Sequence, residues 1–96
     1  MLINAVTYTF PAARADEAER LFSELAVASR AEAGCSGYLV ARGIADPTMF
    51  VLYETWADQA ALDLHYQTEH FQRLGVNGIR PIAASRVAML GAPVAS

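Results

Sequence analysis

Ninety-six residues are one domain's worth of chain, and at that size only about 60–65% of the unfolded surface can be buried, so a large apolar excess needs a second home. The apolar fraction is 54%, charged residues are 18% and mean hydropathy is +0.23, which excludes a disordered chain and points to a self-associating surface. Net charge is −3, and all seven cations are arginines scattered from Arg14 to Arg86, so the basic stripe that a nucleic-acid backbone requires is missing.

Residues 2–10 are β-branched and aromatic and stop at Pro11, which cannot donate to a ladder; they predict a first strand. Over 14–33 the period changes. Ala18, Leu21, Phe22, Leu25 and Ala28/Ser29 form one buried helical stripe. Asp16, Glu17 and Glu19 suit the positive end of that helix, Asp16 and Arg20 are spaced as an i,i+4 pair, and Gly34 predicts a left-handed cap. Residues 35–42 and 49–56 predict two more strands around an Asp46-Pro47 turn. Asp58 caps a second helix in which Ala61, Leu62 and His65 share a face. The pattern breaks at Gln67-Thr68. Thr68 then caps a short continuation that buries Phe71 and Leu74 and pairs Glu69 with Arg73. Residues 75–81 are rich in glycine and end in proline, which predicts a loop; 83–91 predict a fourth strand, and 92–96 a tail.

The order β-α-β-β-α-β predicts an α+β, ferredoxin-like domain over 1–91, a four-stranded antiparallel sheet with its helices on one face. In strand three Phe50, Leu52 and Trp56 oppose Val51 and Tyr53; in strand two Tyr38 and Val40 oppose Cys35, Leu39 and Ala41. Both sheet faces are therefore apolar, and two helices cover only one, so the other predicts a homodimer pairing sheet against sheet. No leader pattern opens the chain, the apolar stretch 87–96 is about half a membrane span, and the single Cys35 cannot form an internal disulfide. The expectation is a cytoplasmic protein with neither membrane nor nucleic acid as partner.

Glu-Ala-Gly-Cys at 32–35, Asp-Pro-Thr-x-Phe at 46–50, Tyr-Glu-x-Trp-x-Asp at 53–58 and His-Tyr-Gln-Thr-Glu-His-Phe at 65–71 resemble the antibiotic biosynthesis monooxygenase domain family. The resemblance covers the chain in element order and implies a dimeric α+β barrel. Its best-described members resemble cofactor-free oxygenases of phenols, anthrones or quinols. An electron-rich aromatic, once deprotonated, can itself pass an electron to O2, so such a site needs a dry pocket, a base and a donor for the developing oxyanion. The implied function is a monooxygenase with no cofactor and no metal, acting on a small aromatic substrate with O2. The rivals are an isomerase of a small polar metabolite, whose pocket would be polar, and a non-catalytic binding or stress-response module. Haem degradation is disfavoured, since Gly75 and Val6 stand where that branch carries an axial histidine and an asparagine.

The resemblance implies a pocket between sheet and helices, walled by Trp56 and Leu52. In the polyketide-oxidising branch an asparagine lies four positions before the Trp and a tyrosine six after it; here those positions are Leu52 and Leu62. His65 faces inward one turn beyond Ala61, where burial keeps an imidazole neutral, and is the candidate base. His70 follows the Thr68 cap. Glu54 shares the Trp56 face and could fix the tautomer of His65 or end in an ion pair with an arginine. Tyr66, Phe71 and Asn4 complete the candidate pocket. Both histidines also fit purely structural roles. On one continuous helix i and i+5 point about 140° apart, which argues against a shared metal. Cys35, without a basic neighbour, reads as a packed small residue.

Overall fold

In β1 (Leu2–Thr9) every second residue, Asn4, Val6 and Tyr8, is buried, and in β3 (Met49–Trp56) Phe50, Leu52, Glu54 and Trp56 are. The computed structural model, which describes residues 1–95, pairs these two strands at the centre of one antiparallel sheet. β2 (Cys35–Arg42) flanks β3 and β4 (Ser85–Gly91) flanks β1, giving the order β2-β3-β1-β4. α1 (Ala15–Arg30) and α2 (Gln59–Tyr66) lie on the helix-covered face. This is the ferredoxin-like α+β architecture that the element order predicts. No helix of the described residues is long and apolar enough to cross a membrane. The expected tail continues from β4, and its last residue, Ser96, lies outside the described residues.

Strand register sets three rows across the covered face. Tyr38, Glu54, Asn4 and Leu90 form one; Val40, Leu52, Val6 and Ala88 the next; Arg42, Phe50, Tyr8 and Arg86 the third. Phe22 of α1 packs with Tyr8, Phe10 and Phe50 at centroid distances of 5.2–5.9 Å. Trp56, His65, Tyr66 and Phe71 form a second aromatic cluster at the other end. Each large apolar side chain so buried stabilises the fold by about 1.5–3 kcal/mol. On the opposite face Leu39, Val51, Tyr53, Val87 and Met89 are exposed. The sheet is greasy on both sides, as strand parity predicts.

Several local expectations are corrected. α1 stops at Arg30, and no described residue has positive φ, so Gly34 is not a left-handed cap. Its role is steric: a Cβ there would stand 2.4 Å from the Cβ of Ala61. Asp16 does not pair with Arg20; it and Glu19 receive Arg42 Nη1 at 2.9 and 3.2 Å. Cys35 lies opposite Trp56 and Tyr38 opposite Glu54, because a bulge between Cys35 and Gly37 inserts one residue. Cys35 therefore joins the covered face it was expected to oppose. The continuation expected over Phe71 and Leu74 is wider and longer than predicted: residues 75–81, expected as a loop, extend it as a π-helical segment, Phe71–Ile79, and enter a short helix, Arg80–Ile82. Pro81 falls in that helix's first turn, where its missing N–H costs nothing. The strand then starts at Ser85 rather than Ala83, whose N–H closes the helical turn onto Arg80. The caps at Asp58 and Thr68 and the Glu69–Arg73 pair are as expected.

The Gly34–Ala61 approach makes a prediction. Gly34→Ala costs about 1–3 kcal/mol, read as a lower urea midpoint at unchanged slope. Adding Ala61→Gly recovers most of that loss, less about 1 kcal/mol for glycine within a helix. Simple additivity of the two changes would refute the steric account.

Candidate active site

Glu54 is 3% exposed in mid-sheet, an expensive place for a carboxylate. Its cross-strand partner Asn4 donates from Nδ2 to Oε1 at 3.3 Å, and Trp56, two residues along the same strand, donates from Nε1 to Oε1 at 3.1 Å. Neither bond uses Oε2. No arginine and no histidine lies in ion-pair contact with Glu54, contrary to both partners expected for it. Burial pushes the carboxyl above its usual range, and the two N–H donors and the more distant Arg86 oppose that.

Glu54 and Asn4 form part of the wall of a cavity of about 20 Å³ between sheet and helices. Val6 and Leu52 extend the floor, Phe22 and Leu25 of α1 cover one side, and Tyr66, Phe71 and Ile79 cover the other. The volume suits about one water molecule. The expected hollow is thus present but shut against an aromatic ring.

Asn4, Leu52, Glu54, Tyr66 and Phe71 line this space as expected; Trp56, His65 and His70 do not. Trp56 is fully buried behind Glu54, and His65 lies against the Trp56 ring at 4.5 Å and the Phe71 ring at 5.0 Å. His65 therefore sits one layer of rings away from the cavity. The pocket is also less apolar than expected, since Arg80 and Arg86 line it. Arg86 donates from Nε to the Tyr8 hydroxyl at 3.1 Å, and Arg80 stands 5.4 Å over the Phe71 ring. Neither forms an ion pair among the described residues.

The partner of His65 is Glu32, to which the sequence reading assigned no role. Glu32 Oε2 accepts from His65 Nδ1 at 2.6 Å and from His70 Nε2 at 2.8 Å. A carboxylate only accepts, so each ring carries its proton on the nitrogen named, which leaves His65 Nε2 as an acceptor. Burial holds the His65 imidazole below its ordinary value, and Glu32 pulls it back up. The histidines do not share one continuous helix: the break expected at Gln67-Thr68 is present and turns both rings onto one oxygen. One signal pointed to Glu32. An acid just past a helix C-terminus opposes the macrodipole and needs another reason to be there. Arg80 and Arg86 carried no such signal, because their places depend on the π segment and on β1–β4 register. The thiol of Cys35 is pushed up by burial, in keeping with a packed, unreactive residue.

Glu54 and His65 give opposite slopes of stability with pH. The raised Glu54 carboxyl contributes fully below its unfolded value of 4.5, and that contribution is lost as pH rises through the folded value. The depressed His65 contributes fully above 6.5, and its share is lost as pH falls towards its folded value. Glu54→Gln keeps an oxygen for Asn4 and Trp56. It is expected to exceed the parent in stability at neutral pH, the difference vanishing below pH 4.5, as measured by urea denaturation across pH.

Comparison with known proteins agrees with this architecture. The family model described as antibiotic biosynthesis monooxygenase matches residues 1–75. A protein of Bacillus subtilis (strain 168) named "Putative monooxygenase YcnE" is 36% identical over 56 residues, 58% of this chain and 59% of that one. The uncharacterized protein sll1783 of Synechocystis is 40% identical over 43 residues, 45% of this chain and 29% of that one. The matched region thus spans well under two thirds of either relative. A crystal structure of an antibiotic biosynthesis monooxygenase superposes with a TM-score of 0.92 at 33% identity, covering 99% of this chain and 100% of that one. PA3566 from Pseudomonas aeruginosa gives 0.87 at 32% identity, covering 98% and 94%. The chain belongs to the antibiotic biosynthesis monooxygenase family.

Proposed function

We propose that the protein is a cofactor-independent monooxygenase that oxidises a quinol, anthrone or related electron-rich aromatic with O2. The observation carrying this reading is Glu54, a buried carboxyl of raised affinity for protons on the wall of a mostly apolar cavity. Glu54, rather than His65, is the base, because it faces the cavity and His65 does not. It removes a proton from the bound phenol or enol, and Arg86 and Arg80 balance the anion left behind. The anion passes one electron to O2, and the radical pair closes to a peroxide on carbon. Loss of water leaves a carbonyl: for an anthrone, CH2 plus O2 becomes C=O plus H2O. Entry of the ring requires Phe71 and the π segment to move outward, a displacement suited to a segment whose wide turns pack less tightly than an α-helix.

The exposed apolar face supports a homodimer paired sheet to sheet, since each large side chain left wet forfeits about 1.5–3 kcal/mol. Sedimentation should show a dimer near 20 kDa, roughly twice the 10.3 kDa chain. Tyr53→Glu together with Val51→Glu should yield a monomer; a monomeric parent at micromolar concentration rules the pairing out.

A second reading, isomerisation of a small anionic metabolite, is favoured by the two arginines that line the cavity and form no ion pair among the described residues. Oxygen-electrode traces with hydroquinones and anthrones separate the two readings. The parent, treated with chelator, consumes O2, and Glu54→Gln slows consumption at least 100-fold, the lower end of the roughly 100- to 10,000-fold that a general base contributes. Absence of uptake across the panel sends the assignment to the isomerase or to a non-catalytic binding module.

A further inference from the structure

We infer that Glu32, His65 and His70 form a binding site for a transition-metal ion of the zinc–cobalt class, separate from the cavity. Three segments supply the donors: the turn after α1, the last turn of α2 and the residue before the π segment. Their ligand atoms all lie within 4.8 Å of one another. Two imidazoles and a carboxylate suit zinc and its neighbours, whereas magnesium and calcium favour all-oxygen sites.

The distances decide how the ion would enter. Zinc bonds of about 2.0–2.2 Å in a tetrahedral site hold their donor atoms roughly 3.4 Å apart. The present separations of Glu32 Oε2 from the two ring nitrogens, 2.6 and 2.8 Å, are those of hydrogen bonds. Glu32 Oε2 must draw back from each ring nitrogen by about 0.6–0.8 Å, and the two nitrogens, within 4.8 Å of one another, must settle at the same spacing of roughly 3.4 Å, both side-chain adjustments. His65 is already oriented by Trp56 and Phe71. Each neutral ring moves its proton to the other nitrogen, so no net proton is released. The ion and Glu32 together leave one positive charge.

Access and a fourth position come from the solvent side. His65 is 1% exposed at its side chain, but His70 and Glu32 are 20% and 15% exposed. Glu32 also borders an open groove with Gly34, Asp58 and Leu64. Water can therefore reach the ion and fill the remaining coordination position. A metal here cross-links the α1–β2 turn to both sides of the helix break and fixes the base of the π segment. Its existence does not depend on the chemistry of the cavity.

The test is a cobalt(II) titration of tag-free, chelator-treated protein, followed by visible d–d absorption. The expected result is bands that saturate at one equivalent per chain. Glu32→Gln and His70→Gln should each weaken binding by at least about 100-fold, more than the loss of an outer-shell partner costs. Circular dichroism checks that each variant folds. If Glu32→Gln does not fold, the partly exposed His70 still provides the test. No d–d bands at millimolar cobalt, or bands unmoved by His70→Gln, overturns the site.

Discussion

A carboxylate buried in mid-sheet is the constraint around which the covered face is arranged. Glu54 lies in one cross-strand row with Tyr38, Asn4 and Leu90, and two N–H groups converge on a single one of its oxygens. Leaving such a group unsatisfied would cost several kcal/mol, on the order of the whole margin of a small domain. Asn4 and Trp56 are thus both packing residues and the reason the acid can stay. Because their bonds fall on Oε1, the acid is anchored without being used up.

The aromatic clusters on either side explain why the cavity lies where it does. At one end Phe10, Phe22, Phe50 and Tyr8 interlock; at the other Trp56, His65, Tyr66 and Phe71 do. Flat rings at two ends leave the middle to Val6, Leu52 and Leu25, which are too short to meet. The roof there is the π segment, with Gly75 directly beneath the Phe71 ring: a Cβ at that position would stand 3.4 Å from Phe71 Cδ1. A methyl group at position 75 would sit in ordinary van der Waals contact with that ring.

Period and parity made the fold legible. Alternation in β1 and β3 is a local property, and a strand shows its inside and outside without reference to its neighbours. What failed was what locality cannot see. The bulge after Cys35 turns that residue onto the other face, and only the β2–β3 register records it. Gly75, Gly78 and Pro81 read as breakers, yet packing of Leu74 and Ile79, five residues apart, holds a wide helix together. The pocket residues Asn4, Leu52 and Glu54 followed from parity, whereas Arg80 and Arg86 followed from nothing nearby. Glu32 carries no local sign of its partners, which are 33 and 38 residues away.

The departures from the polyketide-oxidising pattern can be weighed in three dimensions. Leu62 is fully buried between helix and sheet, so a hydroxyl missing there is missing from the core rather than from the cavity. Leu52 does line the cavity, and an amide at that position would face it. Its place is taken from the neighbouring strand: Asn4 stands opposite Glu54, one row beyond the Leu52–Val6 pair, and brings an amide to the same wall. On the proposed reading a ligand meets these groups nearer the Trp56 end, with Arg86 of β4 and Arg80 of the short helix after the π segment lining the same cavity. On that reading the scaffold keeps its geometry, and the placement of Asn4 and Glu54 on the cavity wall selects the part of a guest that reacts.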